Sequence, residues 1–193
     1  MYIMGSIFAN TKNSKKYFMA KWIIDPAHSE VHFKIRHLVI STVTGSFKKF
    51  EGEVEAEKED FTDAKIKFSA DVDSIDTNAD QRDDHLKSED FFDAANHPKL
   101  TFTSTEVIKK SDTDYIVKGD LTIRGTTKPV ELKVEFGGIT KDPYGQTKAG
   151  FEITGKINRH DFGLKWNAVT EAGGLVVSDD VKLILNVQII KQA

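Results

Sequence analysis

At least eight stretches of this chain alternate between apolar and polar or charged residues, and that alternation constrains the fold more than any other feature. Ala64, Ile66, Phe68, Ala70 and Val72 interleave with Lys65, Lys67, Ser69 and Asp71. Val130, Leu132, Val134 and Phe136 interleave with Glu131, Lys133 and Glu135, and Val181, Leu183, Leu185, Val187 and Ile189 form a third run. Side chains of a strand point to opposite faces in turn, so a period of two means a sheet with one apolar and one wet face. Many such strands with little helix to cover them must bury their apolar faces against each other. That predicts an all-β fold, an antiparallel barrel of about eight strands, with an open two-sheet sandwich as the alternative.

The strand signals run over 29–37, 42–56, 63–75, 100–109, 114–124, 128–136, 147–157 and 181–190, with a short leading strand at 22–24. Turn chemistry separates them at Ser111-Asp112-Thr113, Gly125-Thr126-Thr127 and Asp142-Pro143-Tyr144-Gly145, which predicts hairpins and a meander. Within 42–56 the apolar parity changes from Val43, Gly45 and Phe47 to Phe50, Gly52 and Val54. One extra residue near Lys48-Lys49 explains it, as a bulge that bends a long strand. Residues 78–92 break the rhythm and suit a short helix over 80–88, with Asn78 or Asp80 as N-cap and acids in the first turn. Gly137-Gly138 and Gly173-Gly174 read as strand ends.

The chain has 193 residues, 39% of them apolar, with 13 Phe, which fits one domain with a sizeable core. Its net charge is −3, and its 27 basic residues are spread along the strands, unlike the clustered footprint of a nucleic-acid binder. No cysteine is present, which removes disulfides, thiolate catalysis and Cys-ligated metal. Residues 1–20 read as a disordered or mis-annotated leader and 21–193 as the barrel domain. The only apolar patch of the leader is broken by Gly5 and Ser6, and its lysines (Lys12, Lys15, Lys16) follow that patch, the reverse of a secretory signal. The expectation is a cytoplasmic protein, or a periplasmic one if the true start lies elsewhere. No stretch has the ~18 apolar residues of a membrane-spanning helix.

Three segments are more specific: 24–54 (IDPAHSEVHFKIRHLVISTVTGSFKKFEGEV), 90–104 (DFFDAANHPKLTFTS) and 119–136 (GDLTIRGTTKPVELKVEF). They closely resemble the YceI family of bacterial lipid-binding proteins, with its DxxHSxVxFxxxHL, HPxxxFxS and GxLTIRGxTxPV patterns. Residues 149–164 (AGFEITGKINRHDFGL) and 173–181 (GGLVVSDDV) are similar to that family's C-terminal segments. The resemblance covers about Trp22 to Ile190. It implies a lipocalin-like eight-stranded antiparallel barrel around an apolar tunnel, binding of polyisoprenoids or other long-chain amphiphiles, no catalysis, and a homodimer in many members.

Parity assigns the inward face. On the early strands it selects Phe33, Ile35, His37, Ile66, Phe68 and Val72. The middle strands contribute Leu100, Phe102, Leu121, Leu132, Val134 and Phe136, and the late ones Phe151, Ile153, Arg159, Leu183 and Leu185. Val31, Val117 and Val130 share this face. Side chains can also fill a barrel of this size solidly, so the alternation alone leaves core and tunnel open; the resemblance favours the tunnel. The expected occupant is an isoprenoid, quinone-like or polyprenyl, or a fatty-acid-like chain. No other cofactor, no nucleic-acid partner and no membrane span are expected.

Among polar residues, His37 continues the Val31-Phe33-Ile35 stripe and Arg159 the Ile153-Gly155-Ile157 stripe, so both are candidates to meet a ligand head group. The alternative is that the strands end first and both side chains reach solvent or pair with Asp161 or Glu106. His28, His32, His37, His85, His97 and His160 show no metal-binding spacing, and the acidic run Asp80, Asp83, Asp84, Glu89 and Asp90 lacks the glycine of a calcium loop. Asp25, His28 and Ser29 are too compressed for a nucleophile, base and orienting acid. A competing reading makes the protein an enzyme on a lipid-like substrate with His37 as general base.

Overall fold

The structure, a computed structural model, describes residues 19–168 and 176–193; residues 1–18 of the expected leader and Gly173-Gly174 lie outside the described residues, while Ala20, the leader's last expected residue, already belongs to the first strand. Eleven strand segments follow one another: β1 (Ala20–Ile24), β2 (Glu30–His37), β3 (Ser41–Phe47), β4 (Phe50–Ala56), β5 (Lys65–Asp71), β6 (Ile75–Asp76), β7 (Lys99–Lys109), β8 (Asp114–Ile123), β9 (Thr126–Lys141), β10 (Thr147–Asn158) and β11 (Val177–Lys191). The helix α1 (Asp80–Lys87) lies between β6 and β7. Three pairs are single staves interrupted once, β1 with β2, β3 with β4 and β5 with β6, so the segments make eight staves.

All neighbours pair antiparallel, and the last stave pairs with the first. Ile23 faces Ile190 across β1 and β11, while Phe33 faces Leu183 and Val31 faces Leu185 across β2 and β11. The sheet therefore closes on itself, and the sandwich alternative is excluded. Each interruption has a local cause. Lys48 and Lys49 leave the ladder as the parity change requires, and the Lys48 N–H donates to Ser74 O (3.0 Å) while Lys49 O accepts from Asp71 N (2.9 Å). At the first interruption Asp25 caps a 3-10 turn over Pro26–His28, accepting from the Ala27 N–H at 3.1 Å.

Three expectations are corrected. Helix α1 begins after Ala79, which has no capping side chain, because Asn78 is in a left-handed conformation (φ 59°). The entry is held instead by Asp83, whose carboxylate accepts from the Thr77 N–H at 2.9 Å. Gly137-Gly138 do not end a strand: β9 runs on to Lys141, and the two glycines absorb a register shift against β10, with Gly138 at φ 104°. The third inner strand stops at Asp71, where Val72–Ser74 coil into a 3-10 turn before β6.

The staves leave two ends. At one, the β4–β5 connection folds Phe61 over the lumen, where its ring meets Trp22, Phe136 and Phe151 at centroid distances of 5.3, 5.6 and 5.3 Å. Trp22, Phe61 and Ile189 are all buried there, so this end is sealed by an aromatic cluster. The other end carries the β2–β3 turn, α1 with the loop that follows it, and the segment 159–168.

Candidate functional site: an apolar tunnel

Between these ends the inner face encloses a cavity of about 420 Å³, within the usual range for ligand pockets. The alternation builds its wall directly. Phe33 and Ile35 come from β2, Ile66 and Phe68 from β5, Leu100 and Phe102 from β7, and Leu121 from β8. Leu132 and Val134 come from β9, Phe151 and Ile153 from β10, and Leu183 and Leu185 from β11. Val31, Val117 and Val130 lie on the same wall. Glycines make room for the larger rings: a Cβ at Gly45 would run into the Phe33 ring, and one at Gly119 into the Phe102 ring and the Thr103 carbonyl oxygen.

Two predicted wall positions lie elsewhere. Val72 is fully buried on the 3-10 turn, outside the cavity lining, because its strand ends one residue earlier. Phe136 keeps inward parity but stacks on Phe151 at 5.3 Å within the sealed end, behind the wall.

Sequence parity missed the residues at the α1 end: Leu86 of the helix, Phe162 of a 3-10 turn, and Phe91, Phe92, Leu164 and Trp166 of loops also line the cavity, none from a segment with the strands' period of two. His85 stands edge-on to Phe91 and Trp166, with centroids at 5.1 and 4.8 Å, and its Nε2 lies 2.8 Å from Asp90. The signal for this group was the Phe91-Phe92 pair in an otherwise charged insertion.

The two polar candidates both border this end. His37 closes β2, is half-buried, and makes no ion pair among the described residues. Arg159 follows the end of β10 at Asn158 and opens a 3-10 turn, yet does not reach solvent: it is 3% exposed. Its Nε donates to Ser178 O (2.9 Å), and its Nη1 to Leu164 O (2.6 Å) and Trp166 O (2.7 Å). Nη2 lies 3.5 Å from Val177 O and 3.9 Å from Asp179, so the partner is neither Asp161 nor Glu106; Glu106 pairs with Lys118 at 2.9 Å. Burial pushes the Arg159 guanidinium below its ordinary value, and Asp179 opposes that. Arg159 therefore ties the 159–168 segment to the start of β11 and keeps little free donor capacity.

No three His, Asp or Glu side chains gather as a metal site among the described residues. Asp25 and His28 do bond, at 2.8 Å, but Ser29 Oγ is engaged with the Gln188 backbone, accepting from its N–H at 3.0 Å. No helix of the described residues is long and apolar enough to cross a membrane.

A closed antiparallel barrel of eight staves with an apolar lumen, sealed at one end and overlain by a short helix at the other, defines a lipocalin-like architecture. The YceI-like domain family matches residues 22–189, and the chain belongs to that family. It is 39% identical over 165 residues to a UPF0312 protein of Staphylococcus epidermidis, covering 85% of this chain and 94% of that one. The crystal structure of the Campylobacter jejuni YceI protein superposes with a TM-score of 0.70 at 28% identity, over 98% of this chain and all of that one (100%). A domain from Saccharophagus degradans described as polyisoprenoid binding shares the fold, with a TM-score of 0.65 at 15% identity, over 89% of this chain and 98% of that domain.

Proposed function

We propose that the tunnel binds and carries one long-chain isoprenoid or related amphiphile, without catalysis. The observation that carries this reading is the wall itself: an almost wholly apolar cavity, sealed at one end, in a chain whose strands turn mostly polar or charged residues to the outside. Each CH₂ moved from water into such a wall contributes about 0.8 kcal/mol, so a long tail binds with few polar contacts. The tail lies along Phe68, Phe102 and Leu132 toward Phe61, and the polar end stays at the α1 end beside His37. The family's fold supports the same reading, since one protein that shares it is described as polyisoprenoid binding. A catalytic role for His37 would need an orienting acid or a nucleophile, and His37 has no carboxylate partner among the described residues.

Native mass spectrometry of the purified protein, followed by organic extraction, tests this. The expected result is an adduct mass that extraction removes and that added prenyl or long acyl chains restore. A ligand-free protein that takes up neither chain type overturns the proposal.

A further inference from the structure

The β2–β3 turn is built against local chemistry. It makes a three-residue turn between the paired residues His37 and Ser41, with positive φ at Leu38 (51°) and Val39 (65°), a conformation in which a β-branched residue is an outlier. Leu38, Val39 and Ile40 are 39%, 78% and 84% exposed, three contiguous apolar side chains where other exposed apolar residues occur singly. The Leu38 N–H donates to Val176 O at 2.8 Å, and His37, Val176 and Val177 line the tunnel, so this knuckle stands on the rim of the cavity.

Behind the knuckle lies a row of cations. On the outer face Lys34 is directly opposite Lys182 across β2 and β11, and Lys182 is directly opposite Lys156 across β11 and β10. Like charges in such positions weaken a sheet. Lys156 is neutralised by Asp180 at 2.9 Å, whereas Lys34, Arg36 and Lys182 are exposed and make no ion pair among the described residues. Four residues separate Lys34 from Leu38, about 10 Å along the barrel axis for a tilted strand. That matches the depth to which apolar side chains enter a bilayer surface while cations meet the head groups.

From this arrangement we infer that the rim docks on an anionic lipid bilayer, with Leu38, Val39 and Ile40 in the interface and Lys34, Arg36 and Lys182 on lipid phosphates. The exposed carboxylates of this end include Asp80, Asp84, Glu89 and Asp90 on α1 and its following loop, on the β6–β7 side. They also include Asp161 after β10 and Asp179 and Asp180 in β11, where Asp180 lies 2.9 Å from Lys156 and Asp179 lies 3.1 Å from His160 and 3.9 Å from Arg159. The cations Lys34, Arg36 and Lys182, unpaired among the described residues, make the β11–β2–β3 side the one that faces the lipid, with the α1 carboxylates turned away. A folded protein partner fits less well, because three side chains fall far below the ~800 Å² per partner of a stable interface. The purpose rests on the carrier reading: a docked rim lets an apolar chain pass between bilayer and tunnel without crossing water. The docking itself is measured without cargo.

The test is flotation of the full-length protein with vesicles of equal parts phosphatidylcholine and phosphatidylglycerol, and with phosphatidylcholine alone. The wild type is expected to float with the mixed vesicles and to be released by salt. Val39→Ser with Ile40→Ser is expected to weaken partitioning at least about tenfold. Lys34→Gln and Lys182→Gln weaken it about fivefold each, and Tyr144→Ser at the sealed end leaves it unchanged. Far-UV circular dichroism melts of each variant confirm folding. No flotation of the wild type, or equal flotation of the knuckle variant, overturns the docking. So does a wild-type dimer in light scattering that Val39→Ser with Ile40→Ser makes monomeric, since the knuckle is then a subunit contact. Cargo found by extraction without flotation sinks only the docking; flotation without cargo sinks only the carrier reading.

Discussion

The side-chain amide of Gln188 donates to the carboxylate of Asp25 at 3.0 Å, across 163 residues of chain, at the seam where the first stave meets the last. The same two residues are joined through the backbone, Asp25 N–H to Gln188 O at 2.8 Å. Lys148 of β10 stands 3.6 Å from the same carboxylate. A barrel has no sheet edge only if this seam holds, and here one carboxylate gathers donors from three staves at the point where β1 gives way to β2.

That carboxylate makes the seam acid-sensitive. Burial pushes the Asp25 carboxyl up, but hydrogen bonds from His28, the Ala27 N–H and Gln188 outweigh it and leave the group below its ordinary value. A depressed carboxylate contributes stability that is complete above the unfolded-state value near 3.9 and is lost as pH falls through the lower folded value. Asp25→Ala is expected to cost about 1–3 kcal/mol at neutral pH. Urea unfolding from neutral pH down to about pH 2 should show the wild-type advantage shrinking only below about pH 4. A constant difference across that range would show that the charge of Asp25 is irrelevant to the seam.

Arg159 acts on the fold before it acts on any ligand. Its Nε and Nη1 donors are spent on Ser178, Leu164 and Trp166 carbonyls. Arg159→Gln is expected to cost about 3 kcal/mol in denaturant unfolding, because buried carbonyls lose charge-assisted partners. Binding of anionic and neutral long-chain lipids should then fall together. A variant of wild-type stability that loses only anionic lipids would restore Arg159 as a head-group anchor.

What the sequence made legible was whatever had a period. Phe33, Phe68 and Val134 reach the tunnel because alternate residues of a regular strand share a face, and the parity change at Lys48-Lys49 located a break that the ladder confirms. Parity failed where regularity ended. Val72 is carried off the wall by a turn one residue beyond β5, and Phe136 is drawn aside by Phe61, a loop residue whose position no alternation encodes. Arg159 had the right parity and the wrong surroundings, since the carbonyls around it come from a segment that coils back. Trp166, Phe91 and His85 meet only in three dimensions.

That meeting gives an optical handle. The chain has 2 Trp: Trp22 is buried in the sealed end, while Trp166 is half-buried on the cavity lining beside Phe91. Titration with a long-chain ligand is expected to change Trp166 emission, with Trp22→Phe retaining the change and Trp166→Phe abolishing it. The opposite pattern would place the ligand's approach at the Trp22 end.

Depth in the tunnel should translate into chain-length selectivity. Val134 faces Tyr115 and Ile153 across its two neighbouring strands, toward the sealed end. An indole there fills the deep part of the lumen and leaves the α1 end open. If about three CH₂ groups of a long chain are displaced, at ~0.8 kcal/mol each, Val134→Trp weakens long-chain ligands roughly fiftyfold. Chains short enough to stop before Val134 keep their affinity. Competition binding with saturated chains of graded length reads this directly, with melting temperature as the control. Overpacking of a solid core would instead cost about 1–3 kcal/mol of stability. Equal losses for every chain length would show that the tail does not reach Val134.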